Sequence, residues 1–102
     1  MRRVEIIVAT EIPTRRVMWA GVRDLIRAQW SQMGLKAFSG PVAIGYTWYT
    51  ADVKSWHRHG RLWHHLVMAV WCCLEGAEPC IGGCRFVKAE QPQLRIHIEE
   101  LV

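Results

Sequence analysis

Arg16, Arg23 and Arg27 stand seven and four residues apart. At about 100° per residue, that spacing brings three guanidiniums to one side of a helix. Arg15 adjoins them. Such a stripe can contact two or more phosphates together. The same residues also suit a plain solvated face opposite an apolar stripe. Ten of the thirteen basic residues are arginine, whose planar fork suits bidentate contact with phosphate better than an ammonium does.

Two further sets bear on metal chemistry. The first is Cys72, Cys73, Cys80 and Cys84 with His57, His59, His64, His65 and His97. None of its spacings is the tight pair of a zinc knuckle. Adjacent thiols on a helix should point about 100° apart, which makes shared coordination awkward. The plain expectation is small buried apolar groups with no disulfide. The second set is the nine acids. A magnesium nuclease needs two or three converging carboxylates, and the chain has no Asp-x-Asp pair. Glu75 and Glu78, with Asp52 before them, offer one weak site at best. Trp48, Tyr49, Trp56, Trp63 and Trp71 crowd the middle third; they suit base stacking if exposed and core or interface packing if not.

The elements that must position these residues read as β-α-β-α-β-β. Residues 4–10 are a β-rich run. Pro13 and Thr14 give a turn and an N-cap for a helix over 15–33, with Met18, Val22, Leu25, Ile26 and Met33 on its apolar stripe and Gly34 as its stop. Residues 42–50 alternate as a strand with two partly covered faces. Residues 51–60 are a polar loop. Residues 61–75 read as a helix buried on most sides, ended by Gly76 and Pro79. Strands over 81–88 and 93–100 follow, with Leu94, Ile96 and Ile98 facing in. This is an α/β class of one mixed sheet with two helices, residues 1–102 forming a single domain.

With 102 residues, 51% apolar content and 22% charge, the chain has the material for a real core. The formal charge of +4 is compatible with a nucleic-acid partner. The longest apolar run, Leu66 to Leu74, is nine residues, against the ~20 of a membrane span. Glu5 interrupts the only N-terminal apolar stretch, a poor signal-peptide core. No membrane partner and a cytoplasmic location are expected.

From Leu66 onward the pattern resembles the RusA-like Holliday junction resolvases, phage-type enzymes with a β-α-β-α-β-β core. Leu66 takes the Leu of the family's Asp-x-Asp-Asn-Leu, and Leu74-Glu75-Gly76 takes its Leu-x-Gly. Ile81 holds the later aliphatic position, Lys88 falls seven residues on, and Leu94 to Ile98 match the closing strand. The frame covers nearly the whole chain. The resemblance implies the fold, a homodimer and affinity for DNA, branched DNA included. It does not carry over the chemistry. The family's helix aspartates are Leu62 and His64 here, its Asn is His65, its Lys is Met68, and its later Asp is Cys72. Of its Asp-Asp segment only Glu78 is acidic, after Ala77.

Three readings follow. One is a non-catalytic DNA-binding module, with Arg15, Arg16, Arg23, Arg27, Arg58, Arg61 and Lys88 as DNA contacts and no cofactor. Another is a phage-encoded interaction or inhibitor protein whose Trp-rich middle docks a host or defence protein. The third is a diverged junction endonuclease on His64 and Glu78, with His65, His59 or Asp52 in support, where zinc or manganese suits imidazole better than magnesium does.

Overall fold

Val4, Ile6 and Val8 alternate with Arg3, Glu5 and Ile7, and this period of two gives strand β1 (Arg3–Val8) one buried and one open face. The computed structural model describes residues 2–13, 17–51 and 59–101, with the backbone alone for 59–63. After β1 come helix α1 (Met18–Met33), strand β2 (Val42–Thr50), helix α2 (His59–Ala69), a short 3-10 turn (Trp71–Cys73), and strands β3 (Pro79–Lys88) and β4 (Gln93–Glu100). The sheet order is β1-β4-β2-β3. β3 runs parallel to β2, and β4 runs antiparallel to both β1 and β2. The expected single α/β domain of a mixed sheet with two helices is therefore present.

Both crossovers, β1-α1-β2 and β2-α2-β3, join parallel strands, and both helices lie on one face of the sheet. Between the layers pack Val4 and Ile6 of β1, Ile44, Tyr46 and Trp48 of β2, and Leu94, Ile96 and Ile98 of β4. The helices contribute Trp19, Val22, Ile26 and Trp30, then Leu66, Ala69 and Val70. Among the described residues, no helix lies over the other face of the sheet.

Strands 42–50 and 93–100 fall where alternation predicts them. The first strand ends at Val8, not Thr10, because its partner β4 begins at Gln93 and Val8 already pairs with Leu94. Gly34 ends α1 in the left-handed conformation, φ 62°, its N–H bonded to the Ser31 carbonyl. The described helix begins at Met18; Thr14, the expected N-cap, lies outside the described residues. The second helix begins earlier than the expected residue 61 and stops at Ala69, not 75. Beyond it, Phe38 and Leu74 form a parallel bridge: the Phe38 N–H donates to the Cys73 carbonyl at 2.8 Å and the Glu75 N–H to the Phe38 carbonyl at 2.7 Å. That pairing draws the last turn into a 3-10 coil. β3 begins at Pro79, not 81, as proline tolerates the first position of an edge strand.

The apolar stripe of α1 is also rotated. Val22 and Ile26 are buried as expected, but Met18 and Leu25 are exposed, and Trp19 and Trp30 are buried in their place. Two indoles bury far more surface than the Met and Leu that compete with them. The second helix is not buried on most sides either: Met68 is exposed, as is Trp71 just beyond it.

Candidate functional site: a cationic cleft between the helices

The rotation of α1 changes what its arginines do. At about 100° per residue, Arg23 points some 40° from Trp19 and Arg27 some 80°. They flank the buried stripe rather than oppose it. Arg23 is half-buried and Arg27 exposed. Arg23 faces α2 across a cleft of about 130 Å³ lined by Trp19, Arg23, His64, His65 and Met68.

Aromatic contacts fix the cleft floor. Trp19 stands edge-on to Trp48, centroids 6.4 Å apart at 83°. His65 stacks on Trp19 at 4.9 Å and 15°. His64 lies edge-on to His65 at 5.7 Å. Among the described residues, no carboxylate lines the cleft. Lys88 pairs with Thr50 at the same end of the sheet as Trp48 and, by strand parity, lies on the helix side.

Of the sequence-selected DNA contacts, the structure brings Arg23, Arg27 and Lys88 to the helix layer. Arg15, Arg16 and Arg58 lie outside the described residues; Arg61 belongs to α2, where only its backbone is described. His64 was selected as a metal ligand, and the structure makes it a wall of the cleft.

Glu78 is elsewhere. Its carbonyl accepts the Val42 N–H at 3.1 Å, which places it at the opposite end of β2 from Trp48, roughly 20 Å away at 3.3 Å per residue. Glu78 and Lys88 flank the full length of β3. Among the described residues no three of His, Cys, Asp and Glu lie close enough together to hold a metal ion. Asp52 is outside the described residues, and so is the side chain of His59.

The thiols depart from expectation. The Cys72 and Cys73 sulfurs approach to 3.8 Å across the 3-10 turn, where divergence was expected of a helix. Cys73 is fully buried, and burial first, then Cys72 beside it, pushes its thiol far above the usual range. Burial also raises Cys84, whose hydrogen bond to Tyr46 only partly offsets the effect. Cys80 is exposed rather than buried. All four are free. In native buffer near neutral pH, a thiol reagent is expected to modify Cys80 first and Cys73 only after denaturant is added. Peptide mass mapping of the labelled protein checks the order; early labelling at Cys73 would mean the 3-10 turn opens readily.

The tryptophans settle largely into the core. Trp19, Trp30 and Trp48 are buried and Trp71 is 59% exposed; the side chains of Trp56 and Trp63 lie outside the described residues. The Trp48 indole N–H is buried without a hydrogen-bond partner among the described residues. Sequence reasoning placed Trp48 and Trp71 in one middle cluster and missed Trp19, the residue that joins α1, α2 and the sheet. Its spacing of three, four and four to Val22, Ile26 and Trp30 was the available signal.

No protein-family model matches the chain, and no curated protein matches it. Among the described residues, no helix is long and apolar enough to cross a membrane.

Proposed function

We propose that the chain is a DNA-binding module that takes the phosphate backbone against its helix layer and has no nuclease chemistry of its own. One observation carries this reading: Arg23 of α1 and the two imidazoles of α2 converge on a single cleft, with no acid among the described residues that line it. Arg27 extends the positive edge by one helical turn. Phosphate contacts of this kind position a protein on DNA without reading sequence.

The resolvase resemblance supports the same partner and adds branched DNA and a homodimer to the proposal. It also locates what was lost. Where that family sets aspartates for a hard cation, this chain has Leu62, His64 and Cys72. Leu62 offers no donor atom, and the imidazole and thiol favour softer metals.

Fluorescence anisotropy with a labelled four-way junction and a duplex of equal length tests the proposal. Affinity is expected to fall steeply between about 50 and 200 mM salt. Arg23→Gln and Arg27→Gln should each lower the slope of log K against log salt by about one. Failure of both DNAs to bind at low salt overturns the module. Cutting of the junction by pure protein with magnesium, manganese or zinc overturns the non-catalytic part.

A further inference from the structure

The face of the sheet away from the helices holds the larger concavity, a trough of about 550 Å³. Its shape follows from side-chain size along each strand. The open face of β2 carries Ala43, Gly45, Thr47 and Tyr49. Gly82 and Gly83 of β3 bulge opposite Gly45. The floor therefore has almost no side chains at its centre. Longer polar residues rise on both sides: Arg3 and Glu5 from β1, Arg95, His97 and Glu99 from β4, and Arg85 from β3.

The strand registers sort these groups into rows. Arg3 lies opposite Glu99 across β1 and β4. Glu5 meets Arg95 at 3.8 Å and His97 at 3.9 Å. Arg95 donates to the Gln93 side chain at 3.0 Å and lies 5.1 Å from the Tyr49 ring centre, so its guanidinium is held in place. The next row reads Arg95, Thr47, Arg85 across β4, β2 and β3. With strands about 4.8 Å apart, the two arginines stand roughly 10 Å apart with one hydroxyl between them.

Two polar groups here are uncommitted: Arg85 has no ion pair, and the Thr47 hydroxyl no hydrogen bond, among the described residues. His97 Nδ1 is buried and faces Glu5 at 3.9 Å, beyond hydrogen-bond distance. Three guanidiniums against two carboxylates leave the trough positive.

We propose that this trough binds a phosphate monoester of nucleotide size, its phosphate bridging Arg85 and Arg95 above the Thr47 hydroxyl. Several oxygens on one tetrahedral centre let both guanidiniums donate together, and a double negative charge matches them. A planar carboxylate meets one fork well and leaves the other unfilled. The volume lies within the usual range for a small-molecule site. At Gly83 a Cβ would meet nothing within 4 Å, so a ligand can approach the backbone closely there.

The test is an amide-resolved NMR titration of the full chain at constant ionic strength, first with inorganic phosphate and then with adenosine monophosphate. Saturable shifts at Gly45, Thr47 and Gly83 are expected, with the nucleotide saturating at lower concentration. Arg85→Gln should weaken both ligands about tenfold, and Thr47→Val should weaken them less. Arg23→Gln, on the other face, should leave both unchanged, which separates this site from the DNA cleft. Linear shifts spread over all basic residues overturn the site, as does an Arg85→Gln titration equal to the parent's. If duplex DNA saturates the same three amides, the phosphate source is nucleic acid and the monoester assignment falls.

Discussion

Gly45→Val is expected to cost about 3–4 kcal/mol of folding free energy. The reason is local and steric. A Cβ on Gly45 would sit 2.9 Å from the Gly83 carbonyl oxygen and 3.1 Å from its nitrogen. These are backbone atoms of the neighbouring strand, so relief requires β2 and β3 to separate. Those two strands run in register from Val42 and Pro79 to Thr50 and Lys88, broken only at this bulge. Valine adds two methyl groups to that first collision. Gly82→Ala should cost less, since its nearest backbone contacts would be 3.2–3.4 Å. Gly83→Ala meets nothing within 4 Å and should be nearly neutral. Urea midpoints for the three variants check the ranking. Equal midpoints would mean that the strands give way at the bulge without resistance.

This ranking marks a limit of the sequence. Three glycines along strands 42–50 and 79–88 are visible in the chain, but nothing there says which pair meets. The pairing depends on a parallel register across a crossover of more than 25 residues, and such a register is fixed by tertiary packing rather than by a local turn. Strand 93–100 was legible because Leu94, Ile96 and Ile98 alternate with polar residues at a period only a half-buried strand explains. Gly34 was legible as a helix stop for an equally local reason.

The cleft was half legible. The spacing of Arg23 and Arg27 reads directly from the chain, and so does their shared side. Whether that side faces open solvent or a second helix depends on which apolar stripe of α1 wins. Met18, Val22 and Leu25 fit a helical period as well as Trp19, Val22 and Ile26 do. Buried area decides between them, and counting periodicity alone does not weigh area. The trough was not legible at all. Arg85 and Arg95 are ten residues apart in sequence and become neighbours of Thr47 only because β4 inserts between β1 and β2.

Trp19→Ala is expected to cost about 3–5 kcal/mol, a large share of the roughly 5–15 kcal/mol that holds a domain of this size folded. Trp19 is 4% exposed and meets Trp48 of the sheet on one side and His65 of α2 on another. Truncation leaves a cavity where the three elements join. It also removes the surface that orients His65, so DNA affinity should fall even at temperatures where the variant is still folded. Trp19→Phe keeps a ring at that junction and should cost only about 1–2 kcal/mol, leaving the salt slope of DNA binding intact. Arg23→Gln should do the reverse: stability within about 0.5 kcal/mol of the parent and a shallower slope. Chemical denaturation and anisotropy on the same three proteins separate packing from charge. If Trp19→Ala costs less than about 1 kcal/mol, α1 does not dock through this indole. The cleft that places Arg23 beside His64 and His65 would then lack its support.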